Sequence, residues 1–422
     1  MFWLCLIVLV LPSQLFGYLD PGTGAALINL LIAGVATLIY SLKGFIFSLF
    51  SKGHNKVKKT SSEKTLAILS EGKMYHTTFE PIIKSLIDAK IEFNYYTLDV
   101  EDPALLIDND YMHSEFLGYG HWASIKAGNI KADYLLCTTP NIGSKGYPIR
   151  RSPRVECLVH VFHSINDLSM YRVGSLDHYD MVIQVGDFQT ASIRALEKKR
   201  RLKEKRLVTL GIPYLDLYSL GKTEVPLEKQ GIAVLIGSSW GKKGLLSYYG
   251  TNFIKDIAEK GYQITIRPHP QSMATEQGFI SKCRAELEQY KNVTWDTDPN
   301  PITAMNQADL LISDTSSLRF DFAFVYEKPV ITMEIPEQAM PGYEREELPG
   351  IWASTIEQEI GLYLKEADVS QISDYIERAM AEYSPERIRK IRSTTVVNYA
   401  QCGPAIAEFF ALELRLKENT SA

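Results

Sequence analysis

A chain of 422 residues exceeds one ordinary domain and suits two domains of roughly 180 residues each with an appendage. Apolar residues make up 45%, charged residues 23% and aromatics 11%, which excludes a disordered chain, a collagen-like repeat and a multi-span transporter. The formal charge of −5 gives no overall pull toward nucleic acid, and five widely spaced cysteines fit neither a disulfide framework nor a zinc site.

Residues 1–59 read as a membrane anchor. Asp20 and Lys43 bracket a charge-free run. As a helix over about residues 22–42 it would reach roughly 33 Å, enough to cross a bilayer. Lys43, Lys52, Lys56, Lys58 and Lys59 all follow it, so the positive-inside rule puts that end in the cytoplasm and implies a place at the inner membrane. Residues 1–17 are either a signal peptide or the first arm of a membrane hairpin. They lack a basic start, and Leu15-Phe16-Gly17 is a poor cleavage site.

From residue 60 the periodicity alternates between strand and helix. Thr65–Leu69, a helix across Phe79–Asp88 and Ile91–Thr97 make a βαβ unit, which implies a parallel sheet. Strands follow at Tyr134–Thr138, Glu156–Phe162, Met181–Val185 and Leu207–Leu210. A linker, Gly221–Gly231, precedes a second series: strands Ile232–Ile236, Gln263–Arg267, Asn292–Trp295, Leu310–Ser313 and Pro329–Met333, with helices Asn252–Lys260, Pro301–Gln307 and Ser317–Val325. Ile372–Ala381 and Arg387–Leu416 read as closing helices. The expected organisation is an α/β chain of two Rossmann-like domains facing across a cleft, over residues 60–220 and 231–370, closed by 371–422.

Ligands of open α/β sheets bind at the carboxyl ends of strands, where helix amides point. Three polar clusters fall there. Arg267-Pro268-His269-Pro270 presents an imidazole beside a guanidinium on a turn stiffened by two prolines, a pairing suited to a diphosphate. Ser313-Asp314-Thr315-Ser316-Ser317 has more hydroxyls than an ordinary helix cap needs, and Asp321 follows Ser317 by one helical turn. His163 ends the strand Glu156–Phe162, as a candidate general base or an ordinary core histidine. Strict alternation puts His160 on the opposite face, which argues against a metal pair.

Arg267–Pro270 and Ser313–Phe322, followed by Lys328-Pro329-Val330-Ile331, resemble the second half of the CDP-glycerol glycerophosphotransferases, the teichoic-acid primases and polymerases of GT-B fold. Phe162-His163-Ser164 resembles that family's Trp-His-Gly segment, and Gly211-Ile212-Pro213-Tyr214-Leu215-Asp216 its Gly-x-Pro-x-x-Asp turn. Ser238-Ser239-Trp240 falls where the family has Pro-Thr-Trp. The resemblance spans about residues 155–335 and implies transfer of an alditol phosphate from a CDP-activated donor to a hydroxyl of a cell-surface polymer or lipid-linked glycan, with CMP leaving. It implies His163 as base, His269 with Arg267 on the diphosphate, and Ser316 and Ser317 on phosphate oxygens. Asp314, Asp321, Gly211 and Ser238 complete the implied donor site, with no metal and no cofactor. The sequence departs from the family after His163, where Ser164-Ile165-Asn166 replaces Gly-Thr-Pro, and after Trp240, where Gly241-Lys242-Lys243 shifts the expected basic residue.

Other readings stay open: a nucleotide-sugar glycosyltransferase or 2-epimerase of the same fold, or a non-catalytic scaffold. Arg194–Arg206 carries eight basic residues, as a solvated helix face or as a grip on anionic lipid. Tyr343–Trp352 reads as a mobile loop near the cleft, as a contact to the acceptor or, more simply, as a connector.

Overall fold

The computed structural model describes residues 66–223, 231–298, 300–336 and 342–421. The readings made for residues 1–59 lie outside these. Among the described residues, no helix is long and apolar enough to cross a membrane.

The described residues form one compact unit with two sheets. The first contains β1 (Leu66–Ser70), β2 (Phe93–Thr97), β3 (Met112–Phe116), β4 (Ala132–Cys137), β5 (Val155–Val161), β6 (Met181–Gln184) and β7 (Arg206–Thr209), in the order β3-β2-β1-β4-β5-β6-β7. The second contains β8 (Ala233–Gly237), β9 (Gln263–Arg267), β10 (Val293–Trp295), β11 (Leu310–Ser313), β12 (Val330–Met333) and β13 (Leu362–Leu364), in the order β10-β9-β8-β11-β12-β13. Every pairing is parallel. Central strands such as Leu-Ala-Ile-Leu-Ser and Leu-Leu-Ile-Ser are buried along their whole length, as strands covered on both faces must be. In each sheet the order reverses beside the first strand, between β1 and β4 and between β8 and β11. The crevices at those two places are the natural ligand positions.

Edge elements depart from the sequence reading. β3, Met-His-Ser-Glu-Phe, is half-exposed and polar and shows no apolar run. β13 is three residues long. The closing stretch Arg387–Leu416 is two helices, Pro385–Thr395 and Cys402–Ser421, separated by a turn with Asn398 and Ala400 at positive φ. Pro404, which has no N–H to give, sits in the first turn of the last helix, where that loss costs nothing.

This last helix returns to the first lobe and packs on helix His76–Asp88. There Gly403 allows an approach in which a Cβ would meet the Pro81 carbonyl at 2.5 Å. Asp216 accepts hydrogen bonds from the N–H groups of Cys402 (3.0 Å) and Gly403 (2.8 Å) and so caps the helix from outside. Gly211, at φ 99°, lies against the Val397 carbonyl, where a Cβ would come within 2.2 Å. The Gly-x-Pro-x-x-Asp turn therefore docks the chain's end.

Candidate active site

In the second lobe, three strand ends meet around the β8/β11 crevice. β9 runs out into Arg267, Pro268 and His269. His269 caps helix Pro270–Thr275, its Nδ1 accepting the Gln271 N–H at 3.0 Å. A neutral ring so engaged carries its proton on Nε2, which makes that nitrogen a donor. Burial lowers the proton affinity of His269 below the usual histidine value, and nearby Asp314 and Glu276 partly offset this. Arg267 is 7% exposed and pairs with Asp296, beyond the end of β10. Part of the guanidinium expected to bind diphosphate is thus already engaged.

β11 delivers Asp314 to the centre. Its buried carboxylate accepts from the backbone N–H groups of Ser239 (2.9 Å), Leu245 (2.6 Å) and Ser316 (2.9 Å), and from the Ser239 hydroxyl. Asp314 therefore ties the loop after β8 to the loop after β11. Burial raises its pKa and these donors oppose the rise. Ser238 is internal as well, donating to the Ser239 carbonyl at 2.7 Å and accepting the Leu246 N–H at 3.3 Å. Ser316 and Ser317 are half-buried; Ser316 Oγ accepts the Leu318 N–H at 3.3 Å, whereas Ser317 makes no side-chain cap. His269 and Ser316 thus share one neighbour, Asp314, whose charge acts on the first and whose oxygen holds the second. Past β8, Lys243 is close enough to Arg345 for the two charges to oppose each other, and burial with this repulsion lowers the lysine pKa. Two cations brought together suit an anion.

Asp321 has a different part. It ends a four-residue α-turn that continues as a π-turn, Phe322–Tyr326. Its carboxyl accepts the Tyr214 hydroxyl at 2.5 Å, a bond from the second lobe to the first. Burial pushes Asp321 up to about 7 against the pull of that bond. The Tyr214 oxygen also lies by the Ile165 N–H, two residues beyond His163. One phenol thus joins the Asp321 helix to the histidine loop.

His163 follows β5, which ends at Val161, so the pleat no longer governs its direction. Burial, with a smaller repulsion from His163, lowers the proton affinity of His160. His160 is a core histidine: fully buried, 3.1 Å from the Tyr171 hydroxyl and packed among Phe162, Tyr171 and Tyr179. His163 packs edge-on against Tyr75, with ring centroids 5.2 Å apart, and burial lowers it to about 4. Its Nδ1 is buried with no partner among the described residues.

Of the nine residues singled out from sequence, the structure brings His269 and Ser316 to Asp314, sets Arg267 level with Gly237 and Ser313 across neighbouring strands, and joins Asp321 to the His163 loop through Tyr214. Ser238 and Gly211 are scaffold, and Gly211 offers no room for a ligand because Val397 fills it. The segment read as a mobile loop is a clasp. Glu344 N–H donates to the Tyr171 carbonyl (2.8 Å), Val173 N–H to the Gly342 carbonyl (2.9 Å), and Arg200 binds Asp177 (2.8 Å), Glu344 and Glu347 (2.7 Å). Within the basic stretch, Arg194, Arg200, Lys205 and Arg206 are likewise paired inside the protein, while Lys198, Arg201 and Lys203 stay exposed. Sequence reasoning passed over Tyr214, Ser239 and Arg345. The first two sit inside quoted motifs, and the third showed no signal beyond its charge.

Residues 170–340 match the family model of CDP-Glycerol:Poly(glycerophosphate) glycerophosphotransferase, a stretch that contains Ser238, Lys243, Arg267, His269, Asp314, Ser316, Ser317 and Asp321 but not Arg345. His163 lies outside it. No curated protein matches this chain. Among solved structures, a variant of the wall teichoic acid polymerase TagF soaked with CDPG aligns at 14% identity over 91% of this chain and 98% of its own, with a TM-score of 0.54. The UDP-GlcNAc 2-epimerase from Methanocaldococcus jannaschii aligns at 13% identity over 82% and 99%, with a TM-score of 0.53. A putative UDP-N-acetylglucosamine 2-epimerase from Listeria monocytogenes aligns at 10% over 85% and 97%, with a TM-score of 0.54. These likenesses establish the two-sheet, GT-B-like fold alone.

Proposed function

With the glycerophosphotransferase type of residues 170–340 as premise, we propose that this enzyme moves glycerol phosphate, or a related alditol phosphate, from a CDP-activated donor to a hydroxyl of a cell-surface polymer or lipid-linked glycan. The observation that carries the reading is the meeting of His269 and Ser316 at Asp314, with Arg267 and Ser317 also at the carboxyl ends of β9 and β11, about the place where the strand order reverses.

The donor's diphosphate sits at that edge. His269 Nε2 and the half-buried serine hydroxyls donate to its oxygens, and Arg267, Lys243 and Arg345 supply positive charge. The acceptor hydroxyl, held by the first lobe, attacks the phosphorus that bears glycerol. An O–P bond forms, the P–O bond to CMP breaks, and the proton passes to His163, which burial, lowering its pKa to about 4, keeps neutral at physiological pH. Placement and charge neutralisation supply most of the rate, as in phosphoryl transfer generally. Asp314 and Asp321 act through the loops they hold. The charge-free run at 22–42 and the lysines that follow support work at the inner face of the cell membrane.

Incubating the full chain in detergent with CDP-glycerol and a glycerol-phosphate-terminated acceptor tests the reaction class. Release of CMP with growth of the acceptor is expected. Release of CDP would identify cleavage on the alditol side, as in sugar transfer, and would overturn the proposal.

A further inference from the structure

The crevice of the first lobe, between β1 and β4, holds a group that the reaction above does not use. β1 ends at Ser70, and Glu71 follows on a stiff turn. Gly72 has φ 141°, its N–H donates to Ser70 Oγ at 3.1 Å, and Lys73 N–H donates to Asp99 at 3.1 Å. The Tyr147 hydroxyl donates to Glu71 Oε1 at 2.8 Å. The other carboxylate oxygen, Oε2, has no hydrogen bond among the described residues. The negative charge of Glu71 also reaches Tyr75, whose hydroxyl is pushed up to about 12 by burial and by that charge, and Tyr75 packs edge-on against His163.

The strand register brings these groups to one level. Leu69 pairs with Cys137 and Cys137 with His160, so two residues further on come Glu71, Thr139 and Phe162, with His163 next. Thr138 and Thr139 are 0% and 1% exposed, and their hydroxyls have no partner among the described residues, as is true of His163 Nδ1. Buried polar groups without partners are rare in folded proteins and point to a partner supplied from outside. The charge differs from that of the other lobe. A carboxylate repels a diphosphate and favours neutral hydroxyls, so donor and acceptor are sorted between the two crevices.

We propose that Glu71, oriented by Tyr147, is an acceptor subsite: Oε2 accepts a hydrogen bond from the hydroxyl next to the one that attacks. The enzyme thereby selects acceptors whose end carries two adjacent hydroxyls, an alditol or a sugar. The inference rests on the transfer reading above. Glu71 takes no proton in it; the attacking hydroxyl still gives its proton to His163.

The test uses full-length protein and two soluble acceptors, one ending in glycerol 1-phosphate and one in 3-hydroxypropyl phosphate, which lacks the second hydroxyl. The wild type is expected to show a KM about 10- to 100-fold lower for the first, the size of one charge-assisted hydrogen bond. Glu71→Gln is expected to raise that KM by a similar factor with little change in kcat, to leave the KM of the deoxy acceptor unchanged, and to leave CDP-glycerol affinity by calorimetry unchanged. Tyr147→Phe is expected to show the same pattern at about threefold. Equal KM values for the two acceptors in the wild type, or equal losses on both acceptors in Glu71→Gln, would overturn the subsite while CMP release continued. No CMP release by the wild type with either acceptor would overturn the transfer reading and the subsite with it.

Discussion

Asp321→Asn changes one atom at the joint between the lobes, and its effect depends on pH in a way the structure specifies. The Asp321 carboxyl is buried and held at about 7, against an ordinary value of 3.8, while it accepts the Tyr214 hydroxyl. The fold therefore disfavours its ionised form. Below pH 3.8 both folded and unfolded chains carry the neutral acid and no penalty arises. As pH rises the unfolded chain loses its proton first, and above pH 7 the full penalty applies. A difference of about 3 units corresponds to roughly 4 kcal/mol. Asparagine keeps an oxygen for Tyr214 and never ionises, but its amide N–H groups need partners, at a cost of about 1–3 kcal/mol. The variant should therefore be less stable than wild type near pH 4, where almost no penalty applies, and as stable or more so at pH 8, with crossing urea midpoints between. Parallel midpoint curves for the two proteins across pH 4–8 would refute the assignment of a strained, buried carboxyl to this position.

Three further outcomes follow from the same geometry. His269→Asn keeps a side-chain oxygen for the Gln271 N–H but removes the Nε2 donor; kcat should fall about 100- to 1,000-fold with the melting temperature nearly unchanged. If His163 takes the acceptor's proton, the acid limb of the kcat/KM profile falls near pH 4, because burial lowers this imidazole and only its neutral form accepts; a limb near pH 6.5 would assign the base elsewhere. Gly211→Ala forces a Cβ against the Val397 carbonyl at a positive φ and should cost about 3 kcal/mol or more, read as a lower urea midpoint and faster proteolysis of the last helix.

The residues visible in sequence and those that stayed hidden differ in how their signal is carried. β9 and β11 match their expected limits, Gln263–Arg267 and Leu310–Ser313, because buried parallel strands are continuous apolar runs bounded by polar turns. His269 and Ser316 stood out because a strand end followed by a helix is a local pattern. Tyr214 did not, since its role depends on a carboxyl 107 positions away. The clasp of Glu344 on Arg200 spans 144 positions and also left no periodic trace. Gly211 and Asp216 were legible as a motif but not as a purpose: the main chain they accommodate, Val397 to Gly403, comes back from the far end of the sequence. Glu71 left no signal, because a lone carboxylate after a strand has no distinctive spacing.

The position of CDP-glycerol bound to the full chain, solved at high resolution, discriminates most sharply. The diphosphate is predicted within hydrogen-bonding distance of His269 Nε2 and of the Ser316 or Ser317 hydroxyl, at the carboxyl ends of β9 and β11, with the glycerol turned toward His163. A nucleotide seated in the β1/β4 crevice beside Glu71, with His269 untouched, would contradict the assignment of donor and acceptor to their lobes.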